Sequence, residues 1–212
     1  MIPCVFTTGS DTALLRASCD VCDVPIMEYR ASWTTYVDVK LRAGIRYLES
    51  VIYRSHSLMM WLDGNDSIVV RHALEIAKRW KEFGGGIVIS AEARCWPDAE
   101  LAEKYPPAKA PRFLNAGGFI GKAADLLKAM REVEKLADWD DQLAWTQWYL
   151  QDPKRLTIDH DRRIFSCVGD GPEALNADTC VLHWNGKAAG REAFWDGFVK
   201  GFNDARKAKT IQ

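Results

Sequence analysis

Short apolar runs that alternate with amphipathic helical segments predict an α/β protein with a mostly parallel central sheet. Two of the runs, Leu58–Leu62 and Ile87–Ile89, are apolar on both faces, as expected of strands covered on both sides. No repeat, low-complexity tract or linker divides the chain, so a single domain over residues 1–212 is expected. With 28 Lys plus Arg against 29 Asp plus Glu, the net charge is -1, which lacks the cationic excess of a non-specific nucleic-acid coat. At 48% apolar and 27% charged residues the composition is that of an ordered globular chain, and 9 Trp supply flat rings for clefts or core. No apolar stretch is long enough to span a membrane. Residues 1–10 do not read as a secretion signal, and the six scattered Cys read as reduced thiols; the expected setting is therefore cytoplasmic.

In chain order, residues 2–8 form a β-rich run that ends in the turn Gly9-Ser10-Asp11, which also suits a helix cap. Val37, Leu41, Ile45, Leu48 and Ile52 recur at helical spacing and predict a helix from Thr34 to Ile52. Leu58–Leu62 is a strand that stops at Asp63-Gly64-Asn65-Asp66. Helical spacing from Ser67 to Phe83 predicts a second helix, ended by Gly84-Gly85-Gly86, and the strand Ile87–Ile89 follows. Pro97, Pro106, Pro107 and Pro111 mark an irregular stretch. Phe113–Gly121 reads as a strand interrupted at Gly117-Gly118. Helices over 123–136 and 140–150, a late strand at Val181-Leu182 and a helix over 192–209 complete the order.

Ligands of α/β sheets bind beyond the carboxyl ends of the strands, so the polar turns there carry the function. Asp63 and Asp66 flank a Gly in one such turn, and two carboxylates brought to one point call for a cation between them. The same four residues also suit a surface turn with Asp66 capping a following helix. His183 leaves its own apolar run into Trp184-Asn185-Gly186-Lys187, and an imidazole added to two carboxylates favours Mn²⁺ over Mg²⁺. Lys187 supplies a point charge for a diphosphate. Cys19-Asp20-Val21-Cys22 has no second ligand pair near it and reads as structural; His56, His72 and His160 read as local hydrogen-bonders.

Several segments, in order, resemble the glycosyltransferase domain of procollagen lysyl hydroxylases and its viral and microbial relatives. They are Asp63-Gly64-Asn65-Asp66, Ser90-Ala91-Glu92, Cys95-Trp96-Pro97, Leu101–Pro106, Arg112–Gly121, Asp140-Asp141-Gln142, Leu156–His160, Ile164-Phe165 and His183–Gly186. Looser matches fall at Thr7-Thr8 and Lys40-Leu41-Arg42. The resemblance implies a GT-A-type Rossmann-like sandwich and a transferase that moves a hexose from a UDP-sugar, UDP-glucose or UDP-galactose, to an acceptor hydroxyl. It implies Asp63, Asp66 and His183 as metal ligands, for Mn²⁺ or Mg²⁺. Thr7, Thr8, Lys40, Asn65, Asn115, Gly117, Gly118, Asn185, Gly186 and Lys187 are implied near the donor. Asp140 and Asp141 are implied as catalytic carboxylates, although at the start of a helix they also suit charge compensation.

Trp96 and Trp184 are the expected acceptor-stacking rings. Trp145 and Trp148, three apart on one helix, equally suit the core. For the acceptor, a reduced, signal-free chain favours a 5-hydroxymethylpyrimidine such as 5-hydroxymethylcytosine in DNA, as in phage base modification, over hydroxylysine in a collagen-like protein. Such a base would be flipped out of its stack. Arg30, Arg42, Arg46 and Arg54, with Lys200, Arg206, Lys207 and Lys209, would form a basic rim for DNA. An inactive nucleotide-binding module and a hydrolase or phosphotransferase are the readings from other classes.

Overall fold

The computed structural model describes residues 1–9, 11–29, 34–51, 56–175, 177–186 and 189–210, with side chains as far as Gly201. The elements are β1 (Cys4–Thr7), α1 (Ala13–Val21), β2 (Ile26–Glu28), and a wide π-helical turn (Val37–Arg42) that continues into α2 (Ala43–Ser50). Next come β3 (Leu58–Leu62), β4 (Ser67–Val69), α3 (Ala73–Glu82), β5 (Val88–Glu92) and β6 (Phe113–Lys122). The remainder are α4 (Ala123–Glu134), α5 (Asp141–Gln151), β7 (Thr157–Ile158), β8 (Phe165–Cys167), α6 (Pro172–Leu175), β9 (Val181–His183) and α7 (Arg191–Thr210).

The described residues form a six-stranded sheet in the order β2-β1-β3-β6-β5-β7, in which β6 runs against five mutually parallel strands. A three-stranded sheet, β4-β9-β8, lies beside it with β8 against β5. The α/β sandwich with a mostly parallel sheet is therefore the observed fold. Strand β3 shows why both faces must be covered. Leu58, Met60 and Leu62 enter one core with Val5, Val88 and Ile120 under α1 and α3. Met59 and Trp61 enter the other, with Phe6, Ile89 and Phe119 under α2, α4 and α5. Each such side chain, fully buried, contributes about 1.5–3 kcal/mol of transfer free energy. A third, smaller core holds Ile68, Val70, Leu182 and Trp184 beneath Phe194, Trp195 and Phe198 of α7.

Three expectations are corrected. Ser67–Val69 is a strand rather than the first turn of a helix, because pairing with β9 (Ser67 opposite His183, Ile68 opposite Leu182) outweighs the local spacing. Helix α3 starts later, and its cap is His72, whose Nδ1 accepts the Leu74 N–H at 3.1 Å. Strand β6 is also continuous, not broken at Gly117-Gly118. What breaks there is its register with β5: Ile89 pairs with Phe119 while Ser90 pairs with Asn115, so Ala116-Gly117-Gly118 bulge out of the ladder. The predicted helix over 34–52 begins at Val37; Ile52 lies outside the described residues.

Candidate functional site

Because β1, β3 and β5 are parallel, their carboxyl ends share one edge, and the bulge of antiparallel β6 projects to the same edge. A cleft of about 1360 Å³ opens there, floored by the β3–β4 turn, the β6 bulge and the end of β9.

The four-residue turn from Asp63 to Asp66 joins the large sheet to the small one. Asp63 donates its N–H to the Gly117 carbonyl at 2.9 Å, and the Asp66 carbonyl accepts from Trp184 N at 2.8 Å, so both ends of the turn are pinned. Gly64 is required by space: a Cβ there would meet the Thr8 carbonyl oxygen and Thr7 Oγ1, each at 2.8 Å. From β9, His183 places Nε2 at 3.4 Å from Asp66 Oδ1 and 3.7 Å from Asp63 Oδ2. One ligand atom each from Asp63, Asp66 and His183 fits within 4.8 Å of the others. Oδ1 of Asp63 and Oδ1 of Asp66 are buried without a hydrogen bond, which is the arrangement an oxygen-seeking cation satisfies. The residues present therefore fit a divalent metal.

In this structure the cluster's charges are balanced by His183 and Lys40. Burial works against a charged His183, yet the Asp66 carboxylate and the Cys167 sulfur beside it hold its pKa well above the ordinary value. Burial likewise opposes charge on Lys40, but Asp141 and Asp63 outweigh it and raise the pKa of the ammonium. Lys40 Nζ donates to Asp63 Oδ2 at 2.8 Å, stands 4.0 Å from Asp141 Oδ1 and lies 5.4 Å from the Tyr36 ring centre. Burial raises the Asp66 carboxyl, and the His183 contact more than reverses it.

Asp140 and Asp141 begin α5 at the cleft wall. Asp140 is the N-cap, accepting Leu143 N–H at 2.8 Å, and Asp141 is buried one position inside. Burial pushes the Asp141 carboxyl up to about 7, against the pull of Lys40. Both readings of the pair thus meet here: Asp140 caps the helix, and both residues line the cleft.

Thr8, Lys40, Asn65, Asn115, Gly117, Asn185 and Gly186 line the same cleft. Thr7 does not; its hydroxyl, buried below, donates to the Leu62 carbonyl at 2.6 Å. Gly118 packs against Phe165, where a Cβ would come within 2.8 Å of the ring. Gly117 makes room for His183, since a Cβ there would stand 2.1 Å from the imidazole Cε1. Trp184 is corrected outright: it is 3% exposed and sits in the small core, with its N–H donated to the Ala189 carbonyl. Adjacent strand residues face opposite ways, so His183 in the cleft puts Trp184 behind it. Trp96, 61% exposed, does stand at the mouth, and Trp139, 54% exposed, stands there too.

Lys187, Arg30 and Arg54 lie outside the described residues, as do the side chains of Arg206, Lys207 and Lys209. Arg42 is paired with Asp38 and Glu134, Arg46 lies over the Tyr29 ring, and neither lines the cleft. Trp145 and Trp148 are core residues. All six Cys are unbridged. No helix among the described residues is long and apolar enough to cross a membrane.

One polar group that sequence reasoning missed is Glu92, buried at the end of β5. Burial raises its pKa, and it accepts from Gln142 Nε2 and, at 3.2 Å, from Asn185 Nδ2. Gln142 also donates to the Trp96 carbonyl at 3.1 Å and accepts from Ala116 N at 3.0 Å, tying three cleft segments together.

A family model described as the PLOD GT domain matches residues 37–179. The chain is 37% identical over 131 residues to "Multifunctional procollagen lysine hydroxylase and glycosyltransferase LH3" of Rattus norvegicus, which is 59% of this chain and 18% of that protein. It is 34% identical over 155 residues to "Procollagen-lysine,2-oxoglutarate 5-dioxygenase 1" of Gallus gallus, 67% of this chain and 21% of that protein. The chain thus spans about a fifth of the length of these relatives. A crystal structure of a glycosyltransferase involved in the glycosylation of the major capsid of PBCV-1 superposes with a TM-score of 0.60 at 14% identity, covering 92% of this chain and all of that one.

Proposed function

The chain belongs to the PLOD glycosyltransferase-domain family, and from that premise we propose that it transfers a hexose from a UDP-sugar to an acceptor hydroxyl, residues 1–212 acting as one domain. The observation that carries this reading is the convergence of Asp63, Asp66 and His183, with two orphaned carboxylate oxygens, at the floor of the cleft. These three would hold a divalent ion, Mn²⁺ in preference to Mg²⁺ because an imidazole joins the carboxylates. Such an ion, when bound, supplies positive charge to the diphosphate as it departs, where charge grows most in the transition state.

Around it, Thr8, Lys40, Asn65, Asn115, Asn185 and Gly186 line the space for the UDP-sugar, with Lys187 as a further cation. Thr7 acts from beneath by shaping the turn, Gly117 at the cleft floor seats His183, and Gly118 lets β6 pack against Phe165. Asp140 has one oxygen committed to its cap, which leaves the other for a sugar hydroxyl. Asp141 is the proposed base: it takes the proton from the acceptor hydroxyl, and Lys40 beside it favours its anionic form. Trp96 supplies the acceptor's stacking surface, with Trp139 opposite rather than Trp184.

For the acceptor, the cleft charge favours hydroxylysine over DNA. Beyond Asp63 and Asp66 of the metal cluster, Glu92, Asp140, Asp141 and Asp170 line it against Lys40 and Arg94, an environment suited to a cationic amine on the acceptor. The hydroxymethylpyrimidine reading keeps one support, the exposed rings of Trp96 and Trp139 as a base-stacking platform. The test offers UDP-glucose or UDP-galactose with Mn²⁺ to a hydroxylysine peptide and to hydroxymethylated DNA in parallel, with mass measured on each. Gain of one hexose on the peptide is expected, and gain on the DNA alone would reverse the acceptor assignment. UDP binding with neither transfer nor UDP release would show an inactive nucleotide-binding module, and release of UMP a phosphotransferase or hydrolase.

A further inference from the structure

Beneath the carboxylate–imidazole centre lies a polar row that none of the steps above uses. His183 turns Nε2 toward Asp63 and Asp66, and its other ring nitrogen, Nδ1, faces Cys167 Sγ at 4.0 Å. Ser90 Oγ lies 3.4 Å from the same sulfur. Ser90 and Cys167 are wholly buried and His183 is 4% exposed. The three come from separate strands, β5, β8 and β9, where the large and small sheets meet.

A neutral imidazole carries one proton. To present a lone pair at Nε2 to a cation, the proton must sit on Nδ1, and a buried N–H needs an acceptor. Metal-ligating histidines ordinarily give that N–H to a carboxylate, a backbone carbonyl or water. Here the polar atom that the described residues set against Nδ1 is the Cys167 sulfur. The ring has little freedom to seek another partner, because the Gly117 backbone occupies the space on its flank.

Resting on the metal site of the proposed function, we propose that Cys167 is a positioning residue: its sulfur accepts the Nδ1–H of His183 and so fixes the tautomer and ring orientation that direct Nε2 at the cation. Ser90 holds the sulfur in turn, as donor or acceptor. Cys167 touches neither sugar nor diphosphate and acts only through His183.

The test measures Mn²⁺ alone, without nucleotide, by the loss of the free-ion electron paramagnetic resonance signal on titration of the full chain. Cys167→Val keeps an apolar side chain of similar size but offers no acceptor; Cys167→Ser restores one. The Val variant is expected to bind Mn²⁺ about 10- to 100-fold more weakly and the Ser variant within a few-fold of the parent. Equal affinities for Val, Ser and parent would overturn the proposal. Should Cys167→Val fail to fold, Ser90→Ala with Cys167→Ser gives the second comparison. An affinity for the pair no weaker than for Cys167→Ser alone would overturn it equally. Asp63→Asn and His183→Ala run alongside: if these too leave Mn²⁺ binding intact, the metal site itself is at fault and not the role of Cys167.

Discussion

Gly117 shows how closely single residues define the centre. A methyl group there would meet the imidazole of His183 well inside contact distance, so the ring or the β6 backbone must shift and the geometry toward Asp63 and Asp66 changes. Misplacing a catalytic group by about 1 Å can cost on the order of 100-fold in rate. Gly117→Ala is therefore expected to lower hexose transfer by at least about 10-fold and to weaken Mn²⁺ binding in parallel, with Tm lowered by a few degrees. Wild-type transfer and Mn²⁺ affinity would show that the ring tolerates the methyl. At this scale much of the site was legible, because Asp63, Asp66 and His183 stand where apolar runs end, the one place strands in an α/β sheet expose side chains to a ligand. Trp184 was misread despite an available signal: it is the neighbour of a cleft residue on a strand, and alternation turns it inward. Glu92 gave less warning. It closes an apolar run that would have ended just as well at Ser90.

Among the elements, α3 was the hardest to place. Its apolar spacing extends back through Ile68, and its first residue is announced by a histidine cap instead of the usual Ser, Thr, Asp or Asn. What anchors the helix is Arg79, whose side chain is 10% exposed. It donates to Glu75 at 2.8 Å and to the carbonyls of Arg163 at 2.8 Å and Asp178 at 2.6 Å. Hydrogen bonding to Arg79 holds Glu75 below the usual carboxylate range, and Arg71 with Arg79 does the same for Asp178. Depressed carboxyls contribute stability that is present above their unfolded pKa of about 4 and is lost as pH falls through the folded values. The urea midpoint of Arg79→Met should accordingly lie below the parent's at pH 6, with the gap narrowing between pH 5 and 3. A gap constant across that range would mean that Arg79 acts through packing alone. Strands β2, β7 and β8 escaped the reading for another reason: at 3, 2 and 3 residues they are too short to show any period.

Over the whole molecule, alternation of strands and helices was enough to predict the sandwich, whereas strand order was not, since pairing partners lie far apart in sequence and leave no mark on local spacing. Nothing in residues 113–122 announces that this strand runs against the other five of the large sheet. The site is nonetheless a property of the assembly: two carboxylates from the turn between the sheets, an imidazole from the smaller sheet, and Lys40 from the π-helical turn before α2. A ligand that grips all of them stabilises only the folded state, by about 2.7 kcal/mol at a hundred times its dissociation constant. Mn²⁺ with UDP is expected to raise Tm by several degrees, and a chelator to return it. An unchanged Tm under saturating Mn²⁺ and UDP would contradict the shared site.

The short connector between the sheets has one more consequence. Asp63 and Asp66 are neighbours in any conformation of the chain, but His183 joins them only once β9 has docked between β4 and β8. Two of the three candidate ligands are therefore local and cheap to bring together, while the third waits on the slowest kind of contact, one that closes a long loop. An ion held there would be a lock turned after the door has shut: it would slow the opening of the native chain and give no help in building it.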